Sequence, residues 1–138
     1  MTHAVPKGSI HVDRHFTQSP AEIWHRLTDP AQMARWWAPG DVRAEHGHRF
    51  DLDMGPWGKQ ACEVTAVEPE RVFQYRFAVG RLDTVVTWRI EAESGTEASA
   101  GAHVWLSHDG FDLETAGGRA AFEGMKAGWP GVLGRLGG

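Results

Sequence analysis

The sequence predicts an α+β domain in which an antiparallel sheet is covered by a long helix at the carboxyl end. Three observations support this prediction. Apolar residues recur at every second position in several segments between Ile10 and His108, helix start signals lie between Ser19 and Trp37, and a helical period begins near Thr115. A sheet with one apolar face and a helix with one apolar stripe can bury these surfaces against each other, which gives a two-layer architecture.

The first strand is predicted from the alternation of Ile10, Val12 and Phe16 with polar residues. Arg14 is the exception on this inner face. The alternate positions, His11, Asp13 and His15, are expected to form a solvated outer face.

Two short helices are predicted directly after this strand. Ser19 precedes Pro20, and Glu22 follows at the capping-box position, so Ser19 is expected to be the N-cap of the first helix. Asp29 precedes Pro30, which ends the first helix and starts a second one with Asp29 as its cap. Pro39-Gly40 is expected to end the second helix.

A meander of strands is predicted between residues 50 and 108. The turns are expected at Gly55–Gly58, at Glu68–Glu70 and around Gly80, and the small residues Ser94–Ala102 are expected to form a loop or a lengthened edge. The strands are predicted from these inward-facing groups: Phe50, Leu52 and Met54; Cys62, Val64 and Val67; Phe73, Tyr75 and Phe77; Val86, Trp88 and Ile90; Val104, Leu106 and His108.

The last helix is predicted from a stripe of apolar residues: Phe122, Met125, Trp129, Val132 or Leu133, and Leu136. Glycines at 124, 128, 131 and 134 give this segment a poor helix propensity, so packing against the sheet must hold it. We expect a kink at residues 128–130, where Pro130 interrupts the helix.

Composition excludes several functional classes. The 138 residues are 41% hydrophobic and are expected to form a single domain, 1–138, with residues 1–9 as a flexible amino-terminal segment. The net charge of −4 without a basic cluster argues against nucleic acid as a partner. The lone Cys62, the absence of a signal peptide and the absence of a long apolar run predict a cytoplasmic protein that does not insert into membranes.

Seven tryptophans are a heavy aromatic load for this length. Each buried tryptophan needs a partner for its N–H group or a wet edge, so some of the rings are expected to line a cavity. Trp36 and Trp37 are about 100° apart on a helix, so one should pack and the other should reach the cavity mouth or solvent. Trp24 is expected in the core.

Histidines are the polar candidates. His46 and His48 could place two imidazoles together, but no further ligands are apparent, so we predict a solvated turn and no metal. His108 beside Asp109 is the best candidate for a general base, although a structural role at a strand end is the preferred interpretation. The sequence contains no nucleophile motif, phosphate-binding glycine loop or dinucleotide fingerprint, so we predict no cofactor.

From Ile10 to Leu136, the order and spacing of several motifs resemble the SRPBCC (START-like, Bet v-type) superfamily. The segments that carry the resemblance are Ser19–Trp24, Leu27–Pro30, Trp36–Trp37, Val64–Pro69, Thr84–Trp88, His108–Phe111 and Gly128–Trp129. The chain is most similar to the branch named after the C-terminal domain of the activator of heat shock protein 90 ATPase. The resemblance implies a helix-grip fold, with a curved antiparallel sheet of six or seven strands around the last helix and two small helices closing one end of a hydrophobic cavity.

The preferred functional prediction is non-catalytic binding of a hydrophobic or aromatic small molecule between the sheet and the last helix. The alternatives are a cyclase or aromatase of the polyketide type, with His108 or Asp53 moving a proton, and a protein-interaction module of the chaperone-activator kind. The family resemblance also leaves a homodimer open. The cavity candidates are Arg14, Trp37, Met54, Cys62, Tyr75, Trp88, His108, Phe122, Met125 and Trp129, with Arg14 as a partner for an anionic group.

Overall fold

The computed structural model describes residues 7–93 and 101–137. Within them the elements follow the predicted order, with a six-stranded antiparallel sheet and three α-helices. The strands are β1 (Lys7–Phe16), β2 (Arg49–Asp53), β3 (Lys59–Glu68), β4 (Val72–Phe77), β5 (Thr84–Glu93) and β6 (Gly101–Asp112). The helices are α1 (Pro20–Thr28), α2 (Pro30–Trp36) and α3 (Ala116–Leu136), with a short 3₁₀ turn at Gly55–Trp57.

The sheet has the strand order β1-β6-β5-β4-β3-β2. Its one long connection is the pair of helices α1 and α2, which carries the chain from β1 at one edge to β2 at the other. Except for β1 and β6, strands that are neighbours in the sheet are also consecutive in the sequence. This is the predicted α+β helix-grip architecture.

The caps of α1 and α2 are those that the sequence predicts. The Ser19 side chain accepts a hydrogen bond from the Glu22 backbone N–H (3.2 Å), and the Asp29 side chain accepts one from Gln32 (3.1 Å). Thr115 caps α3 in the same way. These bonds satisfy N–H groups that a helix start leaves without an intrahelical partner.

Two boundaries differ from the prediction. Strand β1 begins at Lys7, so the last residues of the segment 1–9 pair with β6. The predicted loop over residues 94–102 ends earlier, because Gly101 and Ala102 already belong to β6; residues 94–100 lie outside the described part of the chain. In β3, the predicted inward-facing residues are Cys62 and Val64, followed by Val67 three positions later. A register shift between Val64 and Ala66 explains this change in spacing.

The core lies between the concave face of the sheet and α3. Helix α3 packs mainly against β1 and β6, on one half of the sheet. Trp129, Leu133 and Leu136 are its buried apolar residues. Trp24 is half-buried rather than fully in the core, with its ring edge-on to Phe73 at 5.8 Å.

The helix α3 runs without interruption through Pro130. No helix in the described part of the chain is long and apolar enough to cross a membrane.

Candidate functional site

A cavity of about 560 Å³ lies beside α3, over the half of the sheet that this helix leaves uncovered. Its wall on the sheet side comes from the ends of β3 and β4, and its opposite wall comes from α3. The wall is predominantly apolar. The volume falls in the range of about 300–1,000 Å³ that is common for small-molecule sites.

Small residues on α3 create this space. Gly117, Ala120, Ala121, Gly124 and Gly128 all line the cavity. A Cβ atom added at any of the three glycines would meet no atom within 4 Å. The cavity therefore exists because these positions carry almost no side chain, and larger side chains would enter it without a backbone clash.

Three aromatic rings form its inner end. The ring of Trp37 lies 5.0 Å from that of Trp129 and 6.0 Å from that of Phe77, with the latter pair stacked. Trp36 is buried, whereas Trp37 is only partly buried and lines the cavity. Because α2 ends at Trp36, Trp37 is not on the helix, and it lies at the inner end rather than at the mouth. A flat apolar molecule would find extended ring surfaces here.

The mouth is formed by two turns at the opposite end. The 3₁₀ turn contributes Trp57, which is 74% exposed, and the β4–β5 loop contributes Arg81 and Leu82. Gln60 lies just inside, where its side-chain Nε2 donates a hydrogen bond to the Trp57 carbonyl oxygen (2.8 Å). The mouth is therefore more polar than the inner end.

A chain of hydrogen bonds lies behind the aromatic wall. The indole Nε1 of Trp129 donates to His108 Nδ1 (3.0 Å), and His108 Nε2 lies 2.7 Å from the Thr84 hydroxyl. Because Nδ1 accepts, the proton of the neutral ring must be on Nε2, which donates to Thr84. The Thr84 hydroxyl in turn donates to the Phe77 carbonyl oxygen (3.3 Å).

His108 is fully buried, and burial lowers its pKa to about 3. Asp109 does not contact its ring; this carboxylate faces His11 at 4.0 Å on the other side of the sheet. His108 is therefore a neutral residue that orients Trp129, and it lies within β6 rather than at a strand end.

Two further buried polar groups lie in the core. Trp88 Nε1 donates to the Tyr75 hydroxyl (3.1 Å), and burial raises the pKa of this phenol well above its ordinary value. Burial also raises the pKa of the Cys62 thiol to about 12, so this cysteine is a protonated packing residue and a poor nucleophile.

The described histidines outside the core do not form a set of metal ligands. His48 Nε2 lies 2.6 Å from the Asp41 carbonyl oxygen and its ring stacks on Phe50, while His46 is exposed. Within residues 7–93 and 101–137, no three His, Cys, Asp or Glu side chains converge as a metal site would require.

A family model described as Activator of Hsp90 ATPase homolog 1-like protein matches residues 17–138. The chain belongs to this family. No curated protein matches the sequence.

Three solved structures illustrate the similarity in fold. Protein MLL2253 from Mesorhizobium loti is 29% identical, with 94% of each chain covered and a TM-score of 0.78. CalU16 from Micromonospora echinospora is 25% identical over 94% of this chain and 73% of its own, with a TM-score of 0.72. DynU16, which is described as a protein of the dynemicin biosynthetic locus, is 24% identical; the match covers 96% of this chain but 46% of DynU16, with a TM-score of 0.75.

Nine of the ten residues predicted to line the cavity divide into three groups in this family member. Trp37, Met54, Met125 and Trp129 line it. Phe122 packs beside it on Phe111, with ring centroids 5.5 Å apart. The residues that lie in the core behind the wall, without lining the cavity, are Cys62, Tyr75, Trp88 and His108.

Arg14 lies outside the cavity. It is exposed in a separate surface pocket, beside Pro130 and Leu133 on the opposite flank of α3. The alternation in β1 places Arg14 on the inner face of the sheet, but β1 is an edge strand and α3 separates it from the cavity.

Sequence reasoning did not identify Gln60, Arg81 or the small-residue face of α3. The signal for the last was present, because Gly117, Ala121, Gly124 and Gly128 recur at helical spacing. The sequence analysis relates Gly124 and Gly128 only to poor helix propensity. Arg81 carries no such signal, because it lies in a loop without periodicity.

Proposed function

We propose that this protein binds an apolar small molecule with a flat ring system in the cavity between α3 and the sheet. The inner end, made by Trp37, Phe77 and Trp129, would contact the faces of the ring system. Non-catalytic binding is the function that we infer. A cytoplasmic location and the lack of a nucleic-acid partner stay predictions from composition.

The observation that carries this proposal is the small-residue face of α3. The glycine positions of this face are exposed, and a helix that only covers a sheet would carry polar or charged side chains on its exposed face. Here Gly117, Gly124 and Gly128 border open space instead. A bound molecule would supply the contacts that the missing side chains do not make.

The enzyme alternative has less support. A general base must lie within hydrogen-bond reach of the proton that it takes. The described residues that line the cavity include no Asp, Glu, His or Cys. Both ring nitrogens of His108 already have partners in the core, and Asp53 accepts a hydrogen bond from the Gly55 N–H outside the lining.

The test is a titration with N-phenyl-1-naphthylamine, a neutral aromatic molecule that fluoresces in apolar surroundings. We expect saturable binding with energy transfer from the tryptophans at the inner end. In Gly124→Leu the new side chain should occupy the cavity and weaken binding at least about tenfold, and Gly124→Leu/Gly128→Leu should weaken it further.

Gly131→Leu is the matched control. Gly131 is an exposed position of the same helix outside the cavity, and an added Cβ would make only an ordinary contact with Arg135 at 3.8 Å. Both single variants gain about the same helix propensity. Equal affinity of the Gly124 and Gly131 variants, or no saturable binding by the natural sequence, would refute binding in this cavity.

A further inference from the structure

One described residue that lines the cavity has a charged side chain, so the site offers a ligand more than apolar contact. Among the described residues that line it, Arg81 is the one with an ionisable side chain. None of the ion pairs among described residues involves Arg81; the neighbouring Asp83 pairs with Arg76 at 3.4 Å instead. The mouth therefore presents a guanidinium that forms no ion pair with a carboxylate of the described residues.

The loop that carries Arg81 has a fixed backbone. The carbonyl oxygen of Ala78 accepts hydrogen bonds from the N–H groups of Arg81, Leu82 and Asp83, each at 3.0 Å, and the Asp83 carboxylate accepts one from Gly80. Ala78 and Asp83 have φ angles of 55° and 50°, which are unfavourable for residues other than glycine. Strained backbone persists where surrounding contacts hold it, and such positions cluster at binding sites.

The amino end of α3 lies at the same end of the cavity. Gly117, in the first turn of α3, lines the cavity, and the β4–β5 loop adjoins the end of β6 that leads into this helix. The partial positive charge of a helix amino terminus adds to the field of the guanidinium. Both contributions favour a negative group at the mouth.

We propose that the ligand is a small anion, with its ring system at the inner end of the cavity and its carboxylate or comparable anionic group beside Arg81. This inference rests on the proposed function and specifies its ligand class. Gln60 is the neutral polar neighbour, with its amide held by the Trp57 carbonyl oxygen. Arg81 thus takes the role that the sequence assigned to Arg14.

The test uses two probes that differ by one anionic group. These are 8-anilinonaphthalene-1-sulfonate and its neutral counterpart N-phenyl-1-naphthylamine, titrated into the full-length protein at low and at high salt. We expect the sulfonate to bind at least about fivefold more tightly, with most of this preference lost at high salt, where exposed charges are screened.

Arg81→Gln should remove the preference by weakening sulfonate binding about fivefold while changing the affinity for the neutral probe less than about twofold. Arg81→Lys should retain most of the preference. Arg71→Gln is the charge-matched control, because Arg71 is an exposed residue of the β3–β4 turn that does not line the cavity.

The outcomes separate the two proposals. If Arg81→Gln weakens the binding of both probes to the same extent, Arg81 is only part of the cavity wall. Equal affinities of the natural sequence for both probes would refute selection of an anion. Either result leaves the binding function standing if the neutral probe still responds to Gly124→Leu. Failure of the neutral probe to bind the natural sequence would refute the proposed function itself.

Discussion

At the scale of single residues, the buried His108 links the cavity wall to the acid stability of the fold. Its Nδ1 must be free of a proton to accept the Trp129 N–H, and the site is fully buried. Protonation in the folded state would break this bond and place an unpaired charge in the core. The folded protein therefore excludes the proton that an unfolded chain binds.

This produces a predictable pH dependence. The pKa of His108 is about 3 in the folded protein, against about 6.5 for a free histidine, so its contribution to stability is full above about pH 6.5 and falls on acidification toward pH 3. Between pH 6.5 and 5 the natural sequence should lose about 1–2 kcal/mol through this residue.

His108→Gln offers the comparison, because an amide can both accept from Trp129 and donate to Thr84 without titrating. Urea unfolding of both proteins at several pH values measures the difference, since the other titrating groups are common to both. Parallel pH profiles would contradict the role assigned to His108.

Single residues also show where sequence reasoning about the site stops. Alternation along a strand reveals which face a side chain occupies, and it assigned Trp88 and Tyr75 correctly to the inner side. It does not reveal whether a helix or a cavity lies above that face. This is why the sequence assigns Arg14 to the cavity. It is also why the sequence assigns four residues of the layer behind, Cys62, Tyr75, Trp88 and His108, to the lining.

At the scale of elements, a hydrogen-bonded cluster on the outer face of the sheet joins three strands. His103 of β6 lies with Nε2 2.6 Å from the Asp13 carboxylate of β1 and with Nδ1 2.8 Å from the Glu93 carboxylate of β5. Since carboxylates only accept, both nitrogens carry protons and the ring is an imidazolium. The bond with Asp13, with help from Glu93, raises the pKa of His103 above its ordinary value.

His103→Gln should therefore destabilise the protein most in mildly acidic solution. A raised pKa contributes stability that is present below about pH 6.5 and is lost as the pH rises through the folded value. We expect Tm to fall by roughly 2–4 °C at pH 5.5, a modest change because the cluster is partly exposed. At pH 9 the fall in Tm should be smaller, because the ring is then largely uncharged. A larger loss at pH 9 than at pH 5.5 would contradict the imidazolium. Thermal unfolding followed by circular dichroism provides the measurement.

The elements themselves were largely predictable, because local signals determine them. Ser19 and Asp29 each accept the capping bond that the sequence predicts. In β3, the inward-facing positions change from Val64 to Val67, which reflects the register shift in this strand. The start of β1 was less accessible. Lys7–Ser9 carry no apolar alternation, and pairing with the end of β6 is what makes them a strand.

At the scale of the whole molecule, the two ends differ in how firmly they are held. The carboxyl end of α3 is tied to the helices α1 and α2, since Arg26 donates to the Leu136 carbonyl oxygen (2.8 Å) and Arg135 donates to that of Trp36 (3.2 Å). Near its amino end, the cavity-facing side of α3 borders open space at Gly117 and Gly124. The molecule therefore has a closed end and an open end.

This difference predicts a specific pattern of amide hydrogen exchange. Without a ligand, residues 119–128 of α3 should exchange faster than residues 131–136, because fewer packing contacts oppose local opening where one side of the helix lacks neighbours. A bound neutral naphthylamine should slow exchange in 119–128 and in the mouth segments 55–57 and 78–83, and it should leave α1 unchanged. In Gly124→Leu the same probe should no longer alter these segments, while Gly131→Leu should respond like the natural sequence. Uniform slowing across all elements would instead indicate that the probe stabilises the fold globally, which would argue against an open end whose contacts a ligand completes.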